Sequence, residues 1–178
     1  MTLSLRFETL IGLHHDEIYR YLWRLLNSAG RTDSVTEAQD LTQEVFLRAY
    51  AAYGRLRPSS NHRAWLYKIA TNCAYTALKQ GQRTEDHSEL SQDEADDGLG
   101  SVSPPPDRQV EQREALEAIR RSLSRLPPKQ GAAVVLRHVE NLSYPEIAQA
   151  LDCSEDSARA NVSQGLRRLR RELGEDAF

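Results

Sequence analysis

The side chains best placed to read another molecule lie near the C-terminal end of the sequence. Laid out at about 100° per residue, residues 155–173 put Ala158, Val162, Leu166, Leu169 and Leu173 on one face, with Gly165 beside them. The opposite face carries Ser157, Ala160, Asn161, Gln164, Arg167, Arg168 and Arg171, with Arg159 at its flank. Small and amide side chains near a helix N-terminus can approach base edges, and arginines further along suit phosphates. The preceding segment supports that chemistry. In Leu142-Ser143-Tyr144-Pro145-Glu146-Ile147, Ser143 fits an N-cap and Glu146 the N3 position of a capping box, while Leu142 and Ile147 fit the hydrophobic staple. The short helix they start ends at Leu151. Asp152-Cys153-Ser154 then makes a tight turn, and Ser154 is placed to cap the next helix. A capped short helix, a tight turn and a longer basic helix form a helix–turn–helix pattern. The competing reading is an ordinary amphipathic helix with a solvated basic face. Staple, box and turn together favour DNA.

Two further faces invite a partner. Along residues 62–80, Leu66, Ile69, Ala70, Cys73 and Ala77 make a buried stripe, and Arg63, Trp65, Lys68, Thr71, Asn72, Tyr75 and Lys79 fall on the other side. Aromatics interleaved with cations suit single-stranded nucleic acid, because bases stack on the rings and cations track phosphates. Trp65 lies at the edge of the stripe, where core packing and base stacking are both open to it. Tyr75 points well away. Cys73, inside the stripe, reads as a small inert hydrophobe. Along residues 34–53, Ala38, Leu41, Val45, Ala49 and Ala52 form the core stripe, and Asp40, Gln43, Leu47 and Tyr50 lie opposite with Glu44 beside them. An acidic, amide-bearing face with an exposed Leu and Tyr suits a protein partner better than DNA. The alternative there is a solvated helix face.

Helices must position all three faces. Helical periodicity predicts segments over about Leu5–Ala29 (with Gly12 a point where it can break), Ser34–Tyr53, His62–Gln80, Val110–Arg125, Pro127–Glu140, Tyr144–Leu151 and Glu155–Leu173. Gly30, Gly54, Gly81 and Asn141 stand at expected stops, Arg55–Asn61 reads as a loop, and no strand pattern or internal repeat appears. Charge divides the chain. Residues 1–83 carry 11 Lys+Arg against 7 acids, residues 84–112 one Arg against 9 acids, and residues 113–178 carry 11 Lys+Arg against 10 acids. The acidic stretch, with Pro104–Pro106 and few large apolar residues, cannot offset the entropy of ordering and is expected to be a flexible linker. A structureless loop of that length is uncommon inside one compact domain. The expected fold class is therefore all-α: two small helical domains, 1–83 and 113–178, joined by a flexible acidic linker at 84–112, the C-terminal one containing a helix–turn–helix.

Several function classes are excluded or disfavoured. The 178 residues are 39% hydrophobic and 28% charged, and no apolar run approaches the roughly 20 residues a membrane helix needs. Met1–Leu10 lacks the pattern of a secretory signal. Cys73 and Cys153 lie far apart with no CxxC, so neither a disulfide framework nor a zinc site is expected. A reducing, cytoplasmic compartment is the expectation. No GxSxG, HExxH or glycine-rich phosphate loop is present, which leaves no catalytic residue to name and no cofactor to expect. His14 and His15 are adjacent on a helix and do not face each other, so no shared metal is expected.

The order of these parts resembles a bacterial RNA polymerase sigma factor of the extracytoplasmic-function group, in the sigma-70 family. Asp40-Leu41-Thr42-Gln43-Glu44-Val45-Phe46-Leu47-Arg48-Ala49 looks like the family's region 2.2, which contacts the polymerase clamp helices. Arg63-Ala64-Trp65-Leu66-Tyr67-Lys68-Ile69-Ala70-Thr71-Asn72 looks like region 2.3–2.4, which melts and holds the −10 promoter element. Leu126-Pro127-Pro128-Lys129-Gln130, Leu136 to Tyr144 and Glu146-Ile147-Ala148 look like region 4, whose helix–turn–helix reads the −35 element. The resemblance implies a factor without catalytic activity that binds core RNA polymerase and directs promoter-specific initiation. It implies polymerase contacts at Asp40, Gln43, Glu44 and Leu47, and −10 contacts at Arg63, Trp65, Lys68, Asn72, Tyr75 and Lys79. The −35 contacts fall at Ser157, Arg159, Ala160, Asn161, Gln164, Arg167, Arg168 and Arg171. The partners implied are core RNA polymerase, promoter DNA both as duplex and as the melted non-template strand, and an anti-sigma factor of the kind family members often have. Arg55–His62 falls where the family builds its base-capturing loop, and the acidic linker resembles the segment that threads toward the RNA exit path. The recognition helix departs from the family's usual Gly-Thr-Val-Lys-Ser-Arg-like run: here it reads Asp156-Ser157-Ala158-Arg159-Ala160-Asn161, with Gln164 where an Arg is common. A free-standing helix–turn–helix regulator would need neither the acidic face nor the aromatic one, and an adaptor that binds proteins alone would not need the basic helix.

Overall fold

A computed structural model describes residues 3–31, 33–57, 59–85 and 106–173. Among these residues the regular structure is entirely helical: α1 (Leu3–Ser28), α2 (Ser34–Tyr53), α3 (His62–Glu85), α4 (Pro106–Ser124), α5 (Pro128–His138), α6 (Tyr144–Leu151) and α7 (Glu155–Leu173). Helices α1, α2 and α3 pack on one another. Helix α7 packs on α4, α5 and α6, and α3 meets α6 directly.

Local chemistry explains most of the boundaries. Helix α1 buries Phe7, Leu10, Ile18, Tyr21, Leu22, Leu25 and Leu26, an apolar stripe at helical spacing. It runs unbroken through the exposed Gly12, because one glycine costs only about 1 kcal/mol against seven buried anchors. It ends where Gly30 takes φ +77° and its N–H reaches back to Asn27 O. The α3 N-terminus is capped by Asn61, whose Oδ1 accepts the Ala64 N–H at 3.0 Å. Gly81 does not stop α3 as expected. It lies buried beside the Arg31 guanidinium without the positive φ that Gly30 takes, and the helix continues to Glu85. Helix α4 likewise starts at Pro106, earlier than the periodicity suggested. Residues 86–105, the body of the expected linker, lie outside the described residues.

The helix–turn–helix forms as its residues predict. Glu146 Oε2 accepts from the Ser143 N–H and from Ser143 Oγ, both at 2.7 Å, closing the box at the start of α6. Asp152 takes φ 51° to turn the chain, and Ser154 Oγ accepts the Ser157 N–H at 3.2 Å to cap α7. Gly165 lets α7 lie close on α5: an added Cβ would stand 2.6 Å from Val134 Cγ2 and 3.2 Å from Gln130 O. Most buried residues of α5–α7 join those of α1–α3 in one continuous apolar cluster, and Leu126, Val134 and Leu169 form a second, smaller one.

Candidate nucleic-acid interface

Helix α7 presents a sharply divided surface. Ala158, Val162, Gly165 and Leu169 are buried, while Ser157, Arg159, Ala160, Gln164, Arg167, Arg168 and Arg171 are exposed and Asn161 is half-buried. Two of these side chains are held in place. Arg159 pairs with Glu155 one turn back, and its guanidinium lies 4.4 Å from the centre of the Tyr144 ring. Arg137 contacts the same ring at 4.7 Å, so Tyr144 gathers two cations by cation–π attraction at the start of α6. Gln164 Oε1 accepts from Nε2 of the buried Gln130 at 2.9 Å, which turns the Gln164 amide N–H groups outward.

On α2, Asp40, Gln43 and Leu47 stand exposed, Leu47 at 59% of its surface, and Tyr50 at 53%. Glu44 is half-buried and pairs with Arg48 at 2.6 Å. Beside them a groove of about 490 Å³ opens between α1 and α2, lined by Phe7, Ile11, Gln43, Phe46 and Leu47 among others. An apolar floor with amide and acidic groups on the rim is the anatomy of a protein-binding surface. His14 and His15 do separate things: His14 Nδ1 meets Glu17 at 2.6 Å, and His15 stacks on Phe46.

Helix α3 departs most from expectation. Four side chains read as outward are engaged or buried. Thr71 is buried, its Oγ1 bonded to Tyr67 O at 2.7 Å and to Tyr21 OH at 2.8 Å. Arg63 donates to Glu17 of α1 through Nε and Nη2, and Nη2 also donates to Glu140 O at 2.8 Å. Lys68 Nζ donates to Asp152 Oδ1 at 2.7 Å, which places it against the turn of the helix–turn–helix. Tyr75 is packed against the core cluster with its hydroxyl buried; burial, with the Cys153 thiol beside it, pushes its pKa up. Trp65 is half-buried and also packs on the cluster, whereas Asn72 and Lys79 are exposed. The physical reason is that α3 is covered on two sides, by α1 and α2 and again by α6. Its second stripe, Tyr67–Thr71–Ala74 at i, i+4 and i+7, is also a helical pattern, weaker in apolar residues than the first.

The covering is electrostatically organised around Glu140, which the sequence reading missed. Its carboxylate is 6% exposed; Oε1 accepts from Arg24 Nη1 at 2.7 Å and Oε2 from Tyr67 OH at 3.0 Å. Glu146, the capping-box acid of α6, also reaches α3: Oε1 accepts from Asn61 Nδ2 at 2.9 Å. Burial works against charge on Glu146, but hydrogen bonds from Ser143 and Asn61 outweigh it and hold its carboxyl below the usual range. Asp152 is held down by Lys68. Nothing local in sequence marks Glu140, because its partners lie 116 and 73 residues away.

Comparison with known proteins fits this layout. The Sigma-70 region 2 description matches residues 10–84 and the Sigma-70, region 4 description matches residues 116–169. The chain is 30% identical to the RNA polymerase sigma-H factor of Pseudomonas aeruginosa, over 88% of this chain and 80% of that one. It is 27% identical to the ECF RNA polymerase sigma factor SigW of Bacillus subtilis, over 94% of this chain and 88% of that one. Among solved structures, the sigma factor RpoE of Bartonella quintana, crystallised with the anti-sigma factor NepR, superposes with a TM-score of 0.71 at 21% identity. That superposition covers 94% of this chain and 96% of the other, and it speaks to fold. The chain belongs to the sigma-70 family of RNA polymerase sigma factors, in its extracytoplasmic-function group, as its 30% identity to the ECF RNA polymerase sigma-E factor of Escherichia coli, over 82% of this chain and 78% of that one, shows. It is an alternative sigma factor of transcription initiation.

Proposed function

We propose that this sigma factor divides promoter recognition between residues 1–83 and 113–178, joined by 84–112, and that it performs no catalysis and needs no cofactor. The α2 face with Asp40, Gln43, Glu44 and Leu47, beside the apolar groove, docks on core RNA polymerase. The α3 residues Arg63, Trp65, Lys68, Asn72, Tyr75 and Lys79 hold the melted non-template strand of the −10 element, with rings stacking on bases that have already unpaired. Helix α7 lies in the major groove of the −35 duplex. Ser157, Ala160, Asn161 and Gln164 meet base edges there, and Arg159, Arg167, Arg168 and Arg171 hold phosphates. Neither half needs high affinity alone: fixed on one polymerase, both act at high effective concentration. The work is done in the bacterial cytoplasm, and an anti-sigma factor is the partner class that would hold the chain inactive.

The observation that carries this reading is the division of α7, with its small apolar residues buried and its amide and arginine side chains exposed behind a capped turn. Co-purification with core polymerase tests it. The Asp40→Arg, Gln43→Ala double variant should lose polymerase binding by about tenfold or more, since it sets an arginine against a partner surface matched to an acid, and like-charge juxtaposition at an interface costs several kcal/mol. Helix content should stay unchanged because both positions are exposed. Undiminished binding by that variant would remove the α2 face from the account.

A further inference from the structure

The buried side chain of Gln130 is bonded to a residue on the outward face of α7. Gln130 is the third residue of α5, where its backbone N–H donates to Pro127 O at 2.8 Å. Its side-chain Nε2 donates to Gln164 Oε1 at 2.9 Å. Its own Oε1 is buried as well and accepts from no group among the described residues. A buried amide with half its capacity unused is uncommon, so the bond that it does make is not core satisfaction alone. The contact is built from the backbone up. Gly165, the residue after Gln164, lets α7 lie so close to α5 that an added Cβ would stand 3.2 Å from Gln130 O. At that separation the Gln130 side chain reaches the outward row of α7 without leaving the core.

The direction of the bond decides what Gln164 can read. With its carbonyl turned to α5, Gln164 shows a base its amide N–H donors. The reverse orientation would bury Gln130 Nε2 with both N–H groups unpaired, where now one carbonyl oxygen is unpaired, and orphaned buried N–H groups are the rarer of the two. A free glutamine pairs with adenine through both ends, donating to N7 and accepting from N6. A glutamine that offers donors only meets the amino groups of adenine and cytosine donor to donor. Guanine, with N7 and O6, and thymine, with O4, present acceptors instead. We infer that the buried Gln130 is a positioning residue for promoter reading: it makes Gln164 select the keto bases guanine and thymine over the amino bases at one position of the −35 element. This inference rests on the −35 role proposed for α7. Asn161, half-buried with no bond to Gln130, keeps both ends of its amide and serves as an internal control.

The test uses the full chain with core RNA polymerase on a library randomised in the −35 element, with the transcripts sequenced. Gln164→Ala marks the position that Gln164 reads, because preference flattens there. In the unaltered chain, guanine and thymine should exceed adenine at that position by about tenfold. Gln130→Met, unbranched and unable to donate, should admit adenine and move that ratio by about tenfold, while the adenine preference at the Asn161 position stays. Gln130→Leu repeats the removal with a second packing, and circular dichroism confirms that the chains compared are folded. Added to Gln164→Ala, either Gln130 variant should change the profile no further, since residues that act through one contact are not additive. A merely structural role for Gln130 would shift α7 as a whole and move several positions in both backgrounds. Adenine preferred by the unaltered chain at the marked position would overturn the inference with no change at Gln130 at all. An unmoved ratio in a folded Gln130 variant, or a shift that persists beside Gln164→Ala, would overturn it too. A profile unmoved by Gln164→Ala, with a −35 element still enriched, would overturn it and leave the −35 role of α7 standing. Transcripts with no enriched −35 element would overturn that role and the inference with it.

Discussion

Glu140 and Gln164 show how a single side chain can be set by a partner far along the chain. Gln164 has its carbonyl oxygen bonded to Gln130, so it offers a base its two amide N–H groups before anything else. Asn161, half-buried, shows no such bond to Gln130 and can pair bidentately with adenine. The −35 element should therefore place an adenine opposite Asn161, and an acceptor edge opposite Gln164. On a randomised −35 library with polymerase, Gln164→Arg should shift one position toward guanine by about 1–3 kcal/mol of discrimination. Arg168→Ala should weaken all sequences alike and flatten the salt dependence, because a phosphate contact carries no sequence information. A base-specific loss on Arg168→Ala would mean the helix is rotated in its groove. The outward set on α7 was legible from spacing alone. The Gln130 bond was not, since an i to i+34 contact leaves no periodic trace.

Helices α6 and α7 begin and end where their sequence says, because their signals are chemical and local: Ser143 and Glu146 closing a box, Ser154 capping the next turn. Helix α3 was misread for the opposite reason. Gly81 looks like a stop but does not take the positive φ that ends α1 at Gly30, and Tyr67, Thr71 and Ala74 belong to a second buried stripe that a one-sided wheel discards. Gly165 is a packing glycine, set against Val134 and the Gln130 backbone. Alanine gains about 1 kcal/mol in helix propensity. Its Cβ, however, would meet Val134 Cγ2 at 2.6 Å and Gln130 O at 3.2 Å, and overpacking costs about 1–3 kcal/mol. Gly165→Ala should lower the thermal midpoint of the full chain by a few degrees and weaken −35 binding, as α7 is pushed off α5. A midpoint that rises would show that α5 and α7 have room to separate.

The whole molecule joins its two groups of helices through a partly apolar interface rimmed by carboxylates whose charge matters. Glu146, facing Ser143, Asn61 and Arg63, and Asp152, facing Lys68 and Lys129, both have pKa values below their ordinary 4.5 and 3.8. A depressed carboxylate stabilises the folded arrangement fully above its ordinary pKa, and that contribution is lost as pH falls through the depressed value. The thermal midpoint of the full chain should be flat at neutral pH and fall only modestly as pH drops below about 4, because both carboxylates are largely exposed and water screens their pairs. The acidic stretch at 84–112 and the charge division were plain in the sequence, but the closure was not, because it depends on side chains from α1, α3 and the α5–α6 turn meeting at one point. As a sigma factor, this chain must give core polymerase its promoter. The direct measurement is run-off transcription by core RNA polymerase and the full chain on a randomised promoter library. Enrichment of templates sharing two separated elements, with duplex DNA bound weakly by the chain alone, is the predicted result. Tight sequence-specific capture of duplex by the chain alone, with no transcripts above those of core polymerase, would contradict it.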